Sequence, residues 1–410
     1  MWTVRPPETI GTPPEMMSFT ALRAIERCPL QWALTYGDYP EIWKRKGYPR
    51  RQHRATLVGQ LVHGTIEVIA KELKNQGTAA GDELTAALRL LGGITAVLKS
   101  ELKKLSLDLS KNPRVTELSR IQLELERSVP DMRNRVQLFL SQLDALGVQT
   151  AQSQQKDSHD LLVRSESAAK ALPYGSHSEV ELRLPDGSWH GKADLIVLKA
   201  DECGIVDFKT GGKKEDHSLQ LRLYALLWKR DSQLNPIGRI ANRLALIYTD
   251  GEISIPPPGE EEIGDLEIEM QNRALTARIA LGAINPEARP GLDSCGYCEV
   301  KQLCPAFWTP AVQALLSTAQ EVTGTLDAEL DLTNSVGEWS WKAVVKSCGN
   351  IKPGTTILLQ GIPRESLFKE VLNKSRTVRA LSLRSLPTEQ GANSLPVLAL
   401  TRGSEVFRLS

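Results

Sequence analysis

The feature that most constrains the fold is a stretch, residues 176–209, in which apolar and polar side chains alternate with a period of two. The segments SEVELRL, SWHGKADLIVLK and GIVDFKT follow this pattern, and Asp186-Gly187 between the first two is a strong hairpin signal. Side chains two apart on a strand share a face, so Asp207 and Lys209 face one way and their apolar neighbours face a core. We therefore predict three successive strands of one sheet.

These strands bring acidic side chains into a small region. Asp194 lies on the second strand, while Glu179 and Glu181 share one face of the first; strand phase does not choose between the two, although Glu181 lies nearer the turn. A carboxylate beside an ammonium, as at Asp207 and Lys209, suits metal-assisted phosphodiester hydrolysis, in which the acid holds the cation and the lysine orients water. The alternative is a solvated Asp-x-Lys on a strand face.

Two predicted helices supply further candidates. His63 lies in a helix predicted over residues 56–74, between two glycines that indicate close packing or ligand approach. A lone helical histidine is more often structural than a ligand. The helix SLQLRLYALLWKR follows the third strand and places Gln220 and Tyr224 one turn apart on one face.

Four cysteines form a second pattern. Cys295 and Cys298 are spaced C-x2-C, Cys304 follows after five residues, and Cys28 lies 267 positions before Cys295 in a helix predicted over residues 18–36. In a reducing compartment such a cluster indicates metal binding and not disulfides. Four thiolates suit a [4Fe–4S] cluster or zinc alike, and spacing does not separate the two.

Residues 41–54, EIWKRKGYPRRQHR, combine basic and aromatic side chains. Basic groups neutralise phosphates and aromatic faces stack on unpaired bases, although a solvated charged loop is an equal alternative. The predicted nucleic-acid-binding residues are Trp43, Lys44, Arg45, Lys46, Tyr48, Arg50 and Arg51.

The ordered motifs over about residues 18–308 resemble the PD-(D/E)XK nuclease superfamily. Within it they are similar to the RecB-like branch that carries an iron–sulfur cluster, which includes AddB-type recombination nucleases and CRISPR-adaptation exonucleases. The motifs are GQLVHGTIE with His63, GKADLIV with Asp194, VDFKTG with Asp207 and Lys209, LQLRLYA with Gln220 and Tyr224, and the cysteine pattern with RCPLQW around Cys28.

The resemblance implies a role for each residue. His63, Asp194 and Asp207 would bind Mg2+ or Mn2+, and Lys209 would position water or stabilise charge on the phosphate. Glu181 or Glu179 would be a further acid, and Gln220 with Tyr224 would orient DNA or the lysine. The four cysteines would hold a structural [4Fe–4S] cluster that clasps the two ends of the nuclease domain.

The resemblance and the strand pattern together predict an α/β fold with a restriction-endonuclease-like mixed central sheet flanked by helices. We expect an extended lead-in over residues 1–17 and a nuclease domain over 18–310, with a helical insertion at about 76–150 that breaks near 111–113. Short strands over 321–410 predict a small all-β, OB-like barrel. Its candidate nucleic-acid surface is Trp339, Trp341, Lys342, Lys346 and Arg379, the alternative being that both tryptophans pack in a core.

Bulk properties exclude some functions. The 410 residues carry a net charge of +1, no segment approaches the roughly 18 apolar residues of a membrane span, and the N-terminus has no signal-peptide pattern, so we expect a cytoplasmic protein. No GxxxxGK[ST] phosphate loop is present, so unwinding would need a helicase partner.

We therefore expect a metal-dependent DNA nuclease, a single-strand exonuclease in recombination, repair, or CRISPR-linked or other antiviral defence. The alternatives are a DNA-end-binding or docking subunit with a weak site, and a structure-specific endonuclease.

Overall fold

A computed structural model describes residues 2–76, 83–145, 171–362, 366–387 and 395–409. The chain divides into two compact units. The first comprises Met1–Pro13, Arg23–Tyr48 and Ala277–Ser410, and the second comprises Pro14–Leu22 and Pro49–Thr276. Among the described residues, no helix is long and apolar enough to cross a membrane.

The helices are α1 (Phe19–Arg27), α2 (Pro29–Thr35), α3 (Arg54–Gln76), α4 (Glu83–Leu90), α5 (Ile94–Leu109), α6 (Leu118–Arg127), α7 (Val129–Ala145), α8 (Asp216–Arg230), α9 (Glu260–Gly282), α10 (Leu292–Cys295), α11 (Pro310–Thr323) and α12 (Ser366–Lys374). The strands are β1 (Trp2–Val4), β2 (Gly175–Arg183), β3 (His190–Leu198), β4 (Cys203–Lys209), β5 (Arg243–Tyr248), β6 (Gly251–Ile255), β7 (Leu326–Gly337), β8 (Ser340–Cys348), β9 (Thr356–Gln360), β10 (Thr377–Leu386), β11 (Val397–Ala399) and β12 (Glu405–Leu409).

The second unit is built on a five-stranded mixed sheet in the order β2-β3-β4-β5-β6. The β2–β3 hairpin turns at the predicted Asp186-Gly187, where Gly187 adopts a φ of +70°. Neighbouring strands are antiparallel except β4 and β5, which are parallel and joined through α8. A parallel pair needs such a crossover, which places a helix against the sheet beside the Asp-x-Lys motif. The prediction of a mixed α/β fold is confirmed.

The predicted helical insertion contributes to the core of this unit. Side chains of α3, α5 and α7 form one apolar cluster with Val206, Phe208 and other residues of β3, β4 and β5. The predicted break near 111–113 is confirmed, and the described part of this region contains four helices, α4 to α7. Pro130 lies in the first turn of α7, where a missing backbone donor costs little. Residues 77–82 and 146–150 of the predicted insertion lie outside the described residues.

The single helix predicted over 18–36 is wrong. The chain forms α1 and α2, separated at Cys28, whose φ of −163° and ψ of 103° are extended. Pro29 explains the break, because the residue before a proline is pushed out of the helical region. As a result Cys28 caps α2, with its sulfur accepting a hydrogen bond from the backbone N–H of Gln31.

The predicted C-terminal barrel is present. β7 pairs with β8, β8 with β9, β9 with β11, β11 with β10, and β10 returns to β7, which closes a ring of five strands. β12 pairs with β10, and β1 pairs with β12 in parallel. Residues 2–4 of the predicted lead-in therefore form a strand. Buried side chains such as Leu330, Ala343 and Leu383 fill the barrel.

Candidate active site

Three acidic residues lie on adjacent strands at one end of the five-stranded sheet. The β3–β4 register pairs Leu195 with Val206, which places Asp194 opposite Asp207 just beyond the last pair. The β2–β3 register likewise places Glu179 opposite Asp194. The convergence expected from three successive strands is therefore present.

The two aspartates form a pair of adjacent carboxyl groups. Asp207 is only 4% exposed and its Oδ2 pairs with the Lys209 ammonium, while Asp194 is half-buried. Asp194 Oδ2 accepts the backbone N–H of Phe208 at 2.7 Å. Burial and the Asp207 charge raise the pKa of Asp194 well above its usual value. A divalent cation would favour the ionised form of both carboxyl groups, and carboxylate oxygens of this kind suit a hard divalent cation.

Lys209 is held from two sides. Its Nζ pairs with Asp207 and donates to Gln220 Oε1 at 2.8 Å, and Gln220 Nε2 donates to Tyr224 Oη at 2.9 Å. Gln220 and Tyr224 lie one turn apart on α8, as the helical spacing predicts. Gly191 makes room for this chain of contacts, since a Cβ there would lie 2.7 Å from the Tyr224 ring.

His63 projects from α3 into the same cleft. Burial lowers the pKa of its imidazole, against the opposing charges of Glu179 and Asp207. The ring is thus neutral near pH 7, which is the form that binds a metal. The flanking Gly59 packs closely, because a Cβ there would lie 3.1 Å from Thr210 Oγ1.

The cleft has a volume of about 330 Å³. Six predicted residues line it: His63, Asp194, Asp207, Lys209, Gln220 and Tyr224. Among the further lining residues, sequence reasoning missed three with titratable side chains, Lys192, Lys214 and His217. His217 carried a usable signal, since it precedes Gln220 by three positions and so shares its helix face.

Glu181 and Glu179, the two candidates for the further acid, have different surroundings. Glu179 has a φ of +55°. Its side chain is partly buried and pairs with Lys192, and its charge raises the pKa of His63 against the effect of burial. Glu181 has a side chain that is 66% exposed and pairs with Arg183 at 2.8 Å. The positive φ interrupts the regular alternation that made the two glutamates equivalent in sequence.

The four predicted cysteines lie together in the first unit. Cys28, Cys295, Cys298 and Cys304 line one pocket of about 20 Å³. The Cys28 sulfur accepts backbone N–H groups of Gln31 and Arg289, both at 3.4 Å.

Thiol chemistry fits a thiolate-bound group at this pocket. Burial raises the pKa of Cys298 to about 12, so a bound cation is needed to hold it as thiolate. Across the described residues, no group of three or more His, Cys, Asp and Glu side chains is placed to hold a metal ion as it stands.

The predicted nucleic-acid surfaces are only partly accessible. Tyr48 is 2% exposed and packs edge-on against Tyr39, so it does not stack on bases. Trp43 is half-buried and donates to the carbonyl of Gly47, while Lys44, Arg45, Lys46 and Arg50 are exposed and Arg51 is half-buried.

Two of the barrel residues predicted to bind nucleic acid are also engaged within the protein. Trp341 is 2% exposed and donates to Asn373, and Arg379 pairs with Glu329 at 2.8 Å and lies over the Trp308 ring. Both residues are therefore structural. Lys342 and Lys346 are exposed, and Trp339 is half-buried.

Comparison with known proteins decides the family. The family model of the PD-(D/E)XK nuclease superfamily matches residues 16–305. The chain belongs to this superfamily. The assignment implies a nuclease that hydrolyses phosphodiester bonds, and nucleases of this superfamily usually use Mg2+ or Mn2+.

No curated protein matches the chain. One similar solved structure, titled "Crystal structure of SSO0001", is 21% identical, with a TM-score of 0.20; the match covers 33% of this chain and 62% of that chain.

Proposed function

We propose that this nuclease cleaves DNA with a bound divalent cation and acts as an exonuclease on single strands. One observation carries the proposal: a single cleft brings together Asp194, Asp207, His63 and Lys209. A buried carboxylate pair next to a neutral imidazole and an ammonium matches the needs of phosphodiester hydrolysis.

Asp194, Asp207 and His63 would hold Mg2+ or Mn2+, with Glu179 as the adjacent acid. When bound, the cation supplies Lewis-acid polarisation of the phosphate and lowers the pKa of water. The Lys209 ammonium, oriented by Gln220, would stabilise charge on a phosphate oxygen or hold the attacking water. Tyr224 supports this arrangement through Gln220.

We assign the chain to the RecB-like branch with an iron–sulfur cluster, like AddB-type and CRISPR-adaptation nucleases. Cys28, Cys295, Cys298 and Cys304 would hold a [4Fe–4S] cluster. Support comes from the shared pocket, the backbone N–H donors to sulfur, and two apolar clusters that include Cys295, Cys298 and Cys304 at their edges. Such surroundings suit a structural role.

The barrel is proposed to be an OB-type module that docks DNA or a partner protein. Its closure order, β7-β8-β9-β11-β10-β7, and the helix α12 between β9 and β10 support this assignment. Because such barrels commonly bind single strands, it would assist strand capture. The setting would be cytoplasmic recombination, repair or antiviral defence, beside a helicase or a CRISPR or other defence protein.

Cleavage of end-labelled single-stranded DNA, linear and circular, with Mg2+ or Mn2+ tests the proposal. Protein purified anaerobically should cut the linear strand alone, and Asp207→Ala should abolish cutting. Cutting of circles would indicate an endonuclease. DNA retention without cutting of any substrate would contradict the catalytic proposal and indicate a DNA-end-binding subunit.

A further inference from the structure

One wall of the cleft is not used by the proposed chemistry. The loop after β4, residues 210–215, leads into α8, and Lys214 and His217 from this segment line the cleft with the carboxylates. Both side chains offer donors and positive potential, which are the features that bind a phosphate oxygen.

Lys214 differs from its neighbour Lys213. Lys213 pairs with Asp250 at 2.9 Å and lies over the Tyr248 ring, 5.6 Å from its centroid. Lys214 is exposed and, within the described ranges, makes no ion pair with any carboxylate. Of Lys213 and Lys214, only Lys214 lines the cleft, so its charge is available to a ligand there.

His217 is oriented by Tyr248, whose Oη lies 2.7 Å from the Nδ1 of the imidazole. When the phenol donates its proton to Nδ1, a neutral ring carries its own proton on Nε2. Burial and the charge of Lys209 lower the pKa of the ring and keep it neutral.

We propose that Lys214 and the Nε2–H of His217 form a second phosphate site, which takes a phosphate of the strand next to the one that is cleaved. Tyr248 acts as a positioning residue that fixes the imidazole. The inference rests on the proposed function and deepens it: the substrate is a polynucleotide with at least two adjacent phosphates in the cleft. A lone phosphodiester would fill the reacting position only.

A pair of substrates tests this site. The kcat/KM for a single-stranded oligonucleotide is divided by the kcat/KM for bis(p-nitrophenyl) phosphate, which has one phosphate. This ratio should fall about tenfold in Lys214→Ala, since a charged hydrogen bond to the second phosphate is lost. Lys213→Ala removes the same charge beside the cleft and should keep the wild-type ratio. His217→Ala should lower the ratio, and His217→Gln, whose amide donor can replace Nε2–H, should recover part of it.

Binding provides a second readout that does not depend on turnover. In EDTA, the logarithm of the affinity for the oligonucleotide is plotted against the logarithm of the salt concentration. The slope of this plot should be smaller in magnitude by about 0.7 in Lys214→Ala than in wild type, which is the value for one phosphate contact on a single strand. Lys213→Ala should keep the slope, and melting temperatures of all variants should confirm folding.

The outcomes separate the two proposals. If wild-type protein hydrolyses neither substrate, the proposed function fails and this inference fails with it. If wild-type protein hydrolyses both but Lys214→Ala and Lys213→Ala share one ratio, the second phosphate site alone is overturned. Equal losses on both substrates in His217→Ala would also overturn it, because they would place His217 at the reacting phosphate.

Discussion

The carboxylate cleft and the cysteine pocket are both clusters of potential metal ligands, but they differ in volume and in the side chains that line them. The cleft has about 330 Å³ of space and is lined by charged and polar side chains. The cysteine pocket has about 20 Å³ and is bordered by apolar side chains such as Val300 and Phe307. A reacting site must admit substrate, whereas a structural site is closed around its group.

The same contrast holds for the stability of each cluster. Asp207 and Asp194 repel each other when no cation is bound, so the cleft costs stability for the sake of function. The cysteines lie between segments far apart in sequence, so a group that joins them would stabilise the first unit. We expect substitutions in the cleft to lower activity with little loss of stability, and substitutions in the cysteine pocket to lower stability.

The largest effect is expected at the cysteine pocket. Cys298→Ser should remove a ligand of the proposed iron–sulfur cluster and cost about 4 kcal/mol of unfolding free energy, which corresponds to a melting temperature lower by about 10 °C. Iron per chain and thermal unfolding measure this outcome. Cys203→Ser is the matched control, because Cys203 is buried but does not line the pocket. Equal iron content in the two variants would contradict the comparison.

Next in size is the effect of the carboxylate pair. Asp207→Asn should lower kcat by about 10³-fold, since it removes a ligand of the proposed cation. In EDTA its melting temperature should change less than that of Cys298→Ser, because relief of the repulsion with Asp194 offsets loss of the ion pair with Lys209. A melting temperature that falls as far as in Cys298→Ser would contradict this contrast.

A smaller effect is expected at Tyr224. Tyr224→Phe removes the hydroxyl that holds Gln220 and should reduce kcat by about tenfold through loss of Lys209 orientation. The ring still fills the space beside Gly191, so the melting temperature should change little. Steady-state kinetics should show the loss in kcat and not in KM; a change confined to KM would instead place Tyr224 in substrate binding.

The smallest contrast lies between two neighbouring glutamates. Glu179→Gln should lower activity by about tenfold, as for a group next to a metal site. Glu181→Gln should stay within about twofold, because its exposed ion pair with Arg183 contributes little. Apparent Mg2+ activation constants for the two variants provide the measurement. The reverse order would assign the role of the further acid to Glu181.

Most of the cleft could be predicted because local patterns encode it. Strand periodicity placed Asp207 and Lys209 on one face, and helical spacing paired Gln220 with Tyr224. Tertiary effects decided the rest. The φ of Glu179 separated it from Glu181, and burial removed Tyr48 and Trp341 from the predicted surfaces.

Two other features differ in how visible they are in sequence. Pro29 predicts the helix break at Cys28, but the helical spacing of the apolar residues favoured one continuous helix. Ring closure of the barrel depends on long-range pairing of β9 with β11 and β10 with β7, which no local pattern reports.

Binding of Mn2+ to protein from which divalent cations have been removed tests the central claim most directly. The claim is that the carboxylate cleft, and not the cysteine pocket, holds the catalytic cation. A titration with Mn2+, followed by electron paramagnetic resonance, should show Mn2+ bound to wild-type protein. A form of the protein that is depleted of iron and remains folded should bind Mn2+ as well. Asp207→Asn should lose most of that binding. Unchanged Mn2+ affinity in Asp207→Asn would place the cation elsewhere and contradict the account.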